Sequence, residues 1–307
     1  MSFFAVLLAL VIEQMRALPR DNPVHHLLQG WVQWVRRNFD AGREHHAWVV
    51  WAVSVLVPSL AAMAVYLAIH RYSLLLALLF DVAVLYLTLG FRRFSHWFTD
   101  IRDALERGDE NTARRLLAQW RQIDASELPR TELLRQVIEH ALLAAHRNVF
   151  GVFFWFVLLS ALGLGPAGAV FYRMTGFVAR RWSAVPGNGA AGGVDGRLAV
   201  IAERMAEWID VVPARLTAFG FAVVGNFEEA VNAWRRDQSA RAQGNDAVIL
   251  ASAAGAVGVQ LGIGDSGLTD GEPPQMAHLR SVVGLVWRSV VLWMLLLALL
   301  TLANLIG

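Results

Sequence analysis

The chain has 307 residues, 56% of them hydrophobic and 17% charged, with a mean hydropathy of +0.44. An ordinary soluble domain carries about a quarter charged residues, so this balance excludes that class and points to a membrane protein. The net charge of +2 gives no polyanion-binding signal, so no nucleic-acid partner is expected, and the absence of cysteine removes disulfides, thiolate metal sites and cysteine nucleophiles.

Residues 3–12 are apolar and then meet Glu13, Arg16 and Arg20. With no basic leader and no Ala-x-Ala site, this stretch reads as a short tilted or interfacial first helix, 3–16, and not as a cleaved signal. Residues 16–46 are polar and basic, with Arg16, Arg20, Arg36, Arg37, Arg43 and the pairs His25-His26 and His45-His46. Leu27, Leu28, Trp31 and Trp34 sit at helical spacing beside Arg36-Arg37, the pattern of an amphipathic helix on a membrane surface. Adjacent histidines on a helix point in different directions and no His-Glu-x-x-His pattern accompanies them, so no metal site is expected.

Two membrane segments, 47–69 and 73–91, form a hairpin around His70-Arg71-Tyr72, with Asp81 inside the second arm. An acid there should face protein or a polar cavity and not lipid. The hydrophilic region 92–147 predicts three helices. The first carries Ile101, Ala104 and Leu105 and stops at Gly108; the second is capped by Asp109 and buries Ala113, Leu116, Leu117 and Trp120. The third opens at Pro129 or Thr131 and buries Leu134, Ile138, Ala141 and Leu142 before entering the membrane at Val149. Arginines flank the hairpin on both sides, so the positive-inside rule predicts that 16–46 and 92–147 are cytoplasmic.

Residues 149–172 are apolar but interrupted by Gly163, Gly165, Pro166 and Gly168, which fits one kinked span or a re-entrant pair. The glycine-rich stretch 183–196 lacks the Gly-Lys-Ser/Thr ending of a phosphate loop and reads as a flexible linker. An amphipathic stretch then leads into Asp210-Val211-Val212-Pro213-Ala214-Arg215, where the proline should start or kink a helix and leave an acid and a guanidinium beside irregular backbone. Residues 246–264 are largely Ala, Gly, Ser and Val, the composition of a tightly packed buried helix. The final membrane segment is 283–306, containing Arg288. No stretch alternates with period two, so the fold class is all-α: a polytopic integral membrane protein, one domain over 1–307, with about four or five membrane segments.

Several motifs lie in one order. They are His96, Ala104-Leu105, Gly108-Asp109, Ala113-Arg114, Asp124-Ala125-Ser126-Glu127-Leu128, Phe153-Phe154-Trp155, Val212-Pro213-Ala214-Arg215-Leu216-Thr217 and the run from Ala253 to Gly262. With Asn22-Pro23-Val24 standing for an early His-Pro-Val, this set resembles the CobD/CbiB family of cobalamin-biosynthesis membrane proteins. The opening 7–13, Arg147 eight residues before Trp155, and 210–216 are also similar to AmpE, a related inner-membrane protein associated with regulation of β-lactamase induction.

The resemblance to the enzymes implies adenosylcobinamide-phosphate synthesis, an ATP-dependent amide formation between a corrinoid acid and an aminopropanol, with ATP and Mg²⁺. The chain departs from the pattern that would hold them. Aligned on Trp155, the family's Glu-x-x-x-Glu-Asn-x-x-Asp keeps its first acid as Glu139, but its later positions fall on Leu143, Ala144 and Arg147. The downstream Tyr-Lys-x-x-Asn-x-x-Asp is represented by Tyr172-Arg173 with Gly176 and Ala179, and Ser-Pro-Asn by Gly244-Asn245-Asp246. Because fold does not carry function when site residues change, the leading expectation is a non-catalytic, regulatory or accessory member in the bacterial inner membrane, with no cofactor. The synthase is the alternative, and a transporter resting on Asp81 and Arg288 ranks last for want of an internal repeat. The bilayer is the expected partner; a second copy, a membrane partner protein and a small-molecule ligand stay open. The candidate polar site is His96, Arg114, Glu139, Arg147, Asn148, Asp210, Arg215, Asn245 and Asp246. Of these, Glu139, Arg147, Asp210 and Arg215 are expected to converge.

Overall fold

The computed structural model describes residues 2–15, 23–39, 44–183, 194–236, 244–262 and 271–306. Arg16, Arg20, Asn22, Arg43 and most of the glycine-rich stretch, 184–193, lie outside the described residues, as do 263–270. Among the described residues the chain is helical, with a lone parallel β-bridge between Val259 and Glu272 and no strand. Three helical stretches are long and apolar enough to cross a membrane: Ala47–Tyr72, Arg130–Ala161 and Met276–Ala303. The protein is an all-α, polytopic membrane protein. Its contacts divide into two compact units, Met1–Leu89 with Val152–Asp210 and Gly90–Gly151 with Val211–Gly307.

The first unit holds α1 (Ser2–Met15), α2 (Pro23–Phe39), α3 (Glu44–Tyr72) and α4 (Leu74–Thr88). Most of α8 (Gly151–Ala161), all of α9 (Ala167–Ser183) and the first half of α10 (Val194–Val224) also belong to it. Helix α3 runs through His70-Arg71-Tyr72, and the hairpin turns at Ser73, whose side chain accepts the Leu76 N–H at 3.4 Å and caps α4. The turn thus falls one residue after the polar triplet, where a serine can cap the next helix. Helix α4 packs on α1, α3 and α9. Asp81 on α4 is buried, and its Oδ1 has no hydrogen-bond partner among the described residues. On α2 the core-facing residues are Val32 and Val35 with Leu28 and Trp31 against them, while Leu27 and Trp34 are exposed.

The apolar run expected over 149–172 is divided differently. It continues the preceding helix to Ala161 and breaks at 162–166, where Gly163 and Gly165 take φ of +78° and +59°; α9 follows. Gly168 lets α9 approach α8 closely, since a Cβ there would lie 1.9 Å from the Trp155 carbonyl oxygen.

The second unit holds α5 (Phe91–Glu106), α6 (Glu110–Arg121) and α7 (Arg130–Ala145). A five-residue π turn (His146–Phe150) follows α7, and the unit closes with the end of α10, α11 (Phe227–Arg236), α12 (Asn245–Val257) and α13 (Met276–Ile306). Asp109 caps α6 by accepting the Thr112 N–H at 3.0 Å, and Ala113 and Leu117 are buried beneath it. Leu134, Ile138, Ala141 and Leu142 of α7 are buried, together with Leu133 and Val137. Helix α12 is shorter than the 246–264 run: Gly258, at φ +74°, ends it in the left-handed conformation that favours glycine. Every residue from Ala247 to Ala256 is buried, with α11, α7 and α13 packed around it.

Pro213 neither starts nor interrupts α10; the helix runs through it. Proline cannot donate to the carbonyl four residues back, which leaves the Ile209 carbonyl without its helical partner. The indole N–H of Trp155 donates to that oxygen at 3.3 Å. Pro58 in α3 is treated the same way, because the Ser54 carbonyl it leaves open accepts the indole N–H of Trp31 at 3.3 Å.

Candidate functional site

In the second unit, candidate polar residues gather at the start of α12. Arg147, on the π turn, forms an ion pair with Asp246 in the first turn of α12. Arg215 on α10 donates to the neighbouring Asn245 Oδ1 at 3.4 Å and back to its own helix at the Val211 carbonyl, 2.7 Å away. Two guanidiniums thus meet adjacent side chains at a helix N-terminus, where an acid is also favoured by the exposed backbone N–H groups. The π turn is what presents Arg147 there. It ends with the Gly151 N–H bonded to the His146 carbonyl, five residues back, and it buries His146, whose Nδ1 lies 2.9 Å from Thr217 Oγ1 on α10. Asn148, beside it, donates to the Ala144 carbonyl at 2.8 Å.

Glu139 is engaged differently. One carboxylate oxygen accepts the Gly262 N–H at 2.8 Å, and Arg135, one turn earlier on α7, donates to the carbonyl of the same glycine. Arg135 also pairs with Glu132 at 2.5 Å. The two side chains therefore clamp both polar atoms of one peptide position, fixing the loop after α12 onto α7.

The other candidates of the second unit, Arg114 and His96, have their own partners. Arg114 on α6 pairs with Glu110 at 2.9 Å and donates to the Leu128 carbonyl at 3.0 Å, pinning the α6–α7 loop. His96 is an exposed residue of α5, 3.7 Å from Asp100 one turn on. Asp210 belongs to the first unit, where the Tyr172 hydroxyl donates to it at 2.7 Å. The carboxylate that Arg147 engages is thus Asp246, and Asp210 takes a tyrosine.

The other acids that could contribute to a cation site have local structural work. Asp109 caps α6, and the hydrogen bonds from Thr112 hold its carboxyl below the usual range. Asp124 accepts both the backbone and the hydroxyl of Ser126, at 3.0 and 2.7 Å, which lowers it likewise. Among the described residues no three His, Asp or Glu side chains come together in a way that could hold a metal ion.

Three relationships escaped the sequence reading: the Trp155 cap on Ile209, the burial of His146 against Thr217, and the Glu139–Gly262 clamp. The first had a signal, since an internal proline demands a substitute donor and Trp155 stands in a recognisable motif. The other two depend on partners 71 and 123 residues away, which no local pattern marks.

The sequence profile of the family described as CobD/Cbib protein matches residues 3–281. The chain is 30% identical over 273 residues to the cobalamin biosynthesis protein CobD of Stutzerimonas stutzeri, covering 85% of this chain and 84% of that protein. It is likewise 30% identical over 190 residues to the cobalamin biosynthesis protein CobD of Chromobacterium violaceum, covering 62% of this chain and 57% of that protein. No solved structure matches. With nearly its whole length matched, the chain belongs to the CobD/CbiB family.

Proposed function

We infer that this protein is a non-catalytic member of its family, acting in the bacterial inner membrane in a regulatory or accessory role of the AmpE kind. The observation that carries this reading is Arg147. It stands where the family's pattern has an acid, and it pairs with Asp246. A guanidinium there repels a divalent cation and neutralises the nearest carboxylate. Glu139, the acid retained from the pattern, is bound to the Gly262 N–H, and Leu143 and Ala144 supply no polar atom where an acid and an amide would stand. ATP-dependent amide formation would need free carboxylates to hold the Mg²⁺ that binds the nucleotide phosphates.

The second reading is the synthase, favoured by the name that both relatives carry, cobalamin biosynthesis protein CobD. Complementation separates the two. Expressed at verified membrane levels in a strain lacking adenosylcobinamide-phosphate synthase, the protein should give no cobalamin. Restored production would overturn the non-catalytic reading. Deleting its gene in the native host should leave cobalamin production intact and alter β-lactamase induction.

A further inference from the structure

Beyond Pro213, helix α10 has two unlike faces. Ala214, Thr217, Ala218, Phe221 and Ala222 are buried. Thr217 meets His146, the Phe221 ring lies 5.8 Å from that of Phe150, and the Ala218 carbonyl accepts the Ser252 hydroxyl at 2.6 Å. The opposite face carries Val212, Leu216, Phe219 and Val223, spaced by three or four residues and 52%, 37%, 52% and 44% exposed. From Leu216 to Val224 no residue is charged. A contiguous apolar stripe left open on a helix whose other side is packed marks an interaction surface.

Its surroundings indicate the occupant. A Cβ at Gly220, on the rim of the stripe, would lie 3.8 Å from Trp293 Nε1 of α13. Helix α13 is long and apolar enough to cross the membrane, and its Val291, Leu295, Leu296 and Leu299 are exposed as a lipid-facing helix requires. At Gly220 the stripe therefore adjoins a helix whose own exposed side chains are apolar. It is too short to cross on its own: nine residues of helix rise about 14 Å, against roughly 30 Å of hydrocarbon. Polar groups close both ends, with the exposed Arg215 at one and the exposed Asn226, Glu228 and Glu229 at the other. A helix with one apolar face and charged ends is suited to the interfacial plane.

We propose that residues 212–223 of α10 lie in the bilayer interface, with Val212, Leu216, Phe219 and Val223 set into the acyl region as a lipid-embedded segment additional to the spanning helices. The chain has no cysteine, so single cysteines can be spin-labelled without background. Labels at Phe219→Cys and Val223→Cys, in the full chain reconstituted into phosphatidylcholine–phosphatidylglycerol vesicles, should collide with oxygen in preference to a water-soluble nickel chelate. Glu228→Cys should show the reverse, with nickel collisions about tenfold more frequent than at Phe219→Cys. Nickel access at 219 and 223 equal to that at 228 would place the stripe in water and overturn the proposal. Labels reached by neither reagent would show a covering protein surface, such as a second copy, and would overturn it equally. Each variant is checked first for a monodisperse elution profile, since all three positions are exposed and tolerate a label.

Discussion

The indole–carbonyl contact at Pro213 makes a quantitative demand. Trp155→Phe keeps an aromatic ring beside Phe154 and Phe171, whose centroids lie 5.5 and 5.2 Å away, but removes the N–H that the Ile209 carbonyl accepts. Stranding a buried acceptor costs about 1–3 kcal/mol, and a 3.3 Å contact to a half-buried carbonyl belongs near the low end of that range. Pro213→Ala acts on the same oxygen from the other side, because alanine supplies the missing helical N–H. In the Pro213→Ala background the indole becomes redundant. Trp155→Phe should then cost about 0.5–1 kcal/mol less than it does in the native sequence, and that difference is the coupling energy. Reversible unfolding in mixed detergent–SDS micelles, followed by far-ultraviolet circular dichroism across the four proteins, measures it. Additivity within about 0.3 kcal/mol would refute the argument, since the two changes would then not share the Ile209 oxygen.

Three other outcomes follow from the structure. Gly168→Ala should lower stability by about 1–3 kcal/mol in the same assay, because its Cβ meets backbone and not a side chain that could swing away. Arg147→Asp and Asp246→Arg should each destabilise modestly while the double exchange recovers; the pair is 44% and 42% exposed, so about 0.2–1 kcal/mol is at stake. Asp109→Ala should weaken α6 in a pH-dependent way. The folded carboxyl is held below its unfolded value, so its contribution is present above the unfolded pKa of about 3.9 and is lost as pH falls through the folded one. The gap in melting temperature between native protein and Asp109→Ala should therefore be constant near neutrality and close in acid.

Much of the fold was legible because hydrophobic patterning decides it. Residues 47–69 are strongly apolar, and the α6 and α7 faces follow the helical period with Asp109 in the cap position. What stayed hidden was what tertiary partners decide. Pro213 reads as a helix start or kink only if no donor is at hand, and Trp155, 54 residues from Ile209 in sequence, supplies one. Leu28 and Trp31 face the core while Leu27 and Trp34 do not, because Val32 and Val35 rotate the buried face of α2 away from the aromatic stripe. The candidate site was visible as residue types and hidden as pairings. Arg147 and Asp246 are 99 residues apart, and the π turn that brings them together leaves no mark in composition.

Helix α12 carries a further consequence, for how the protein breathes. Its residues from Ala247 to Ala256 are buried, with α7, α11 and α13 packed against it. Close approach is enforced at Gly255, where a Cβ would lie 2.5 Å from the Glu229 carbonyl oxygen. Amides in such a segment exchange with solvent only when the packing around them opens as a whole. The N–H groups of 251–257 should thus be among the slowest in the second unit to take up deuterium, and their exchange rate reports the integrity of that unit directly.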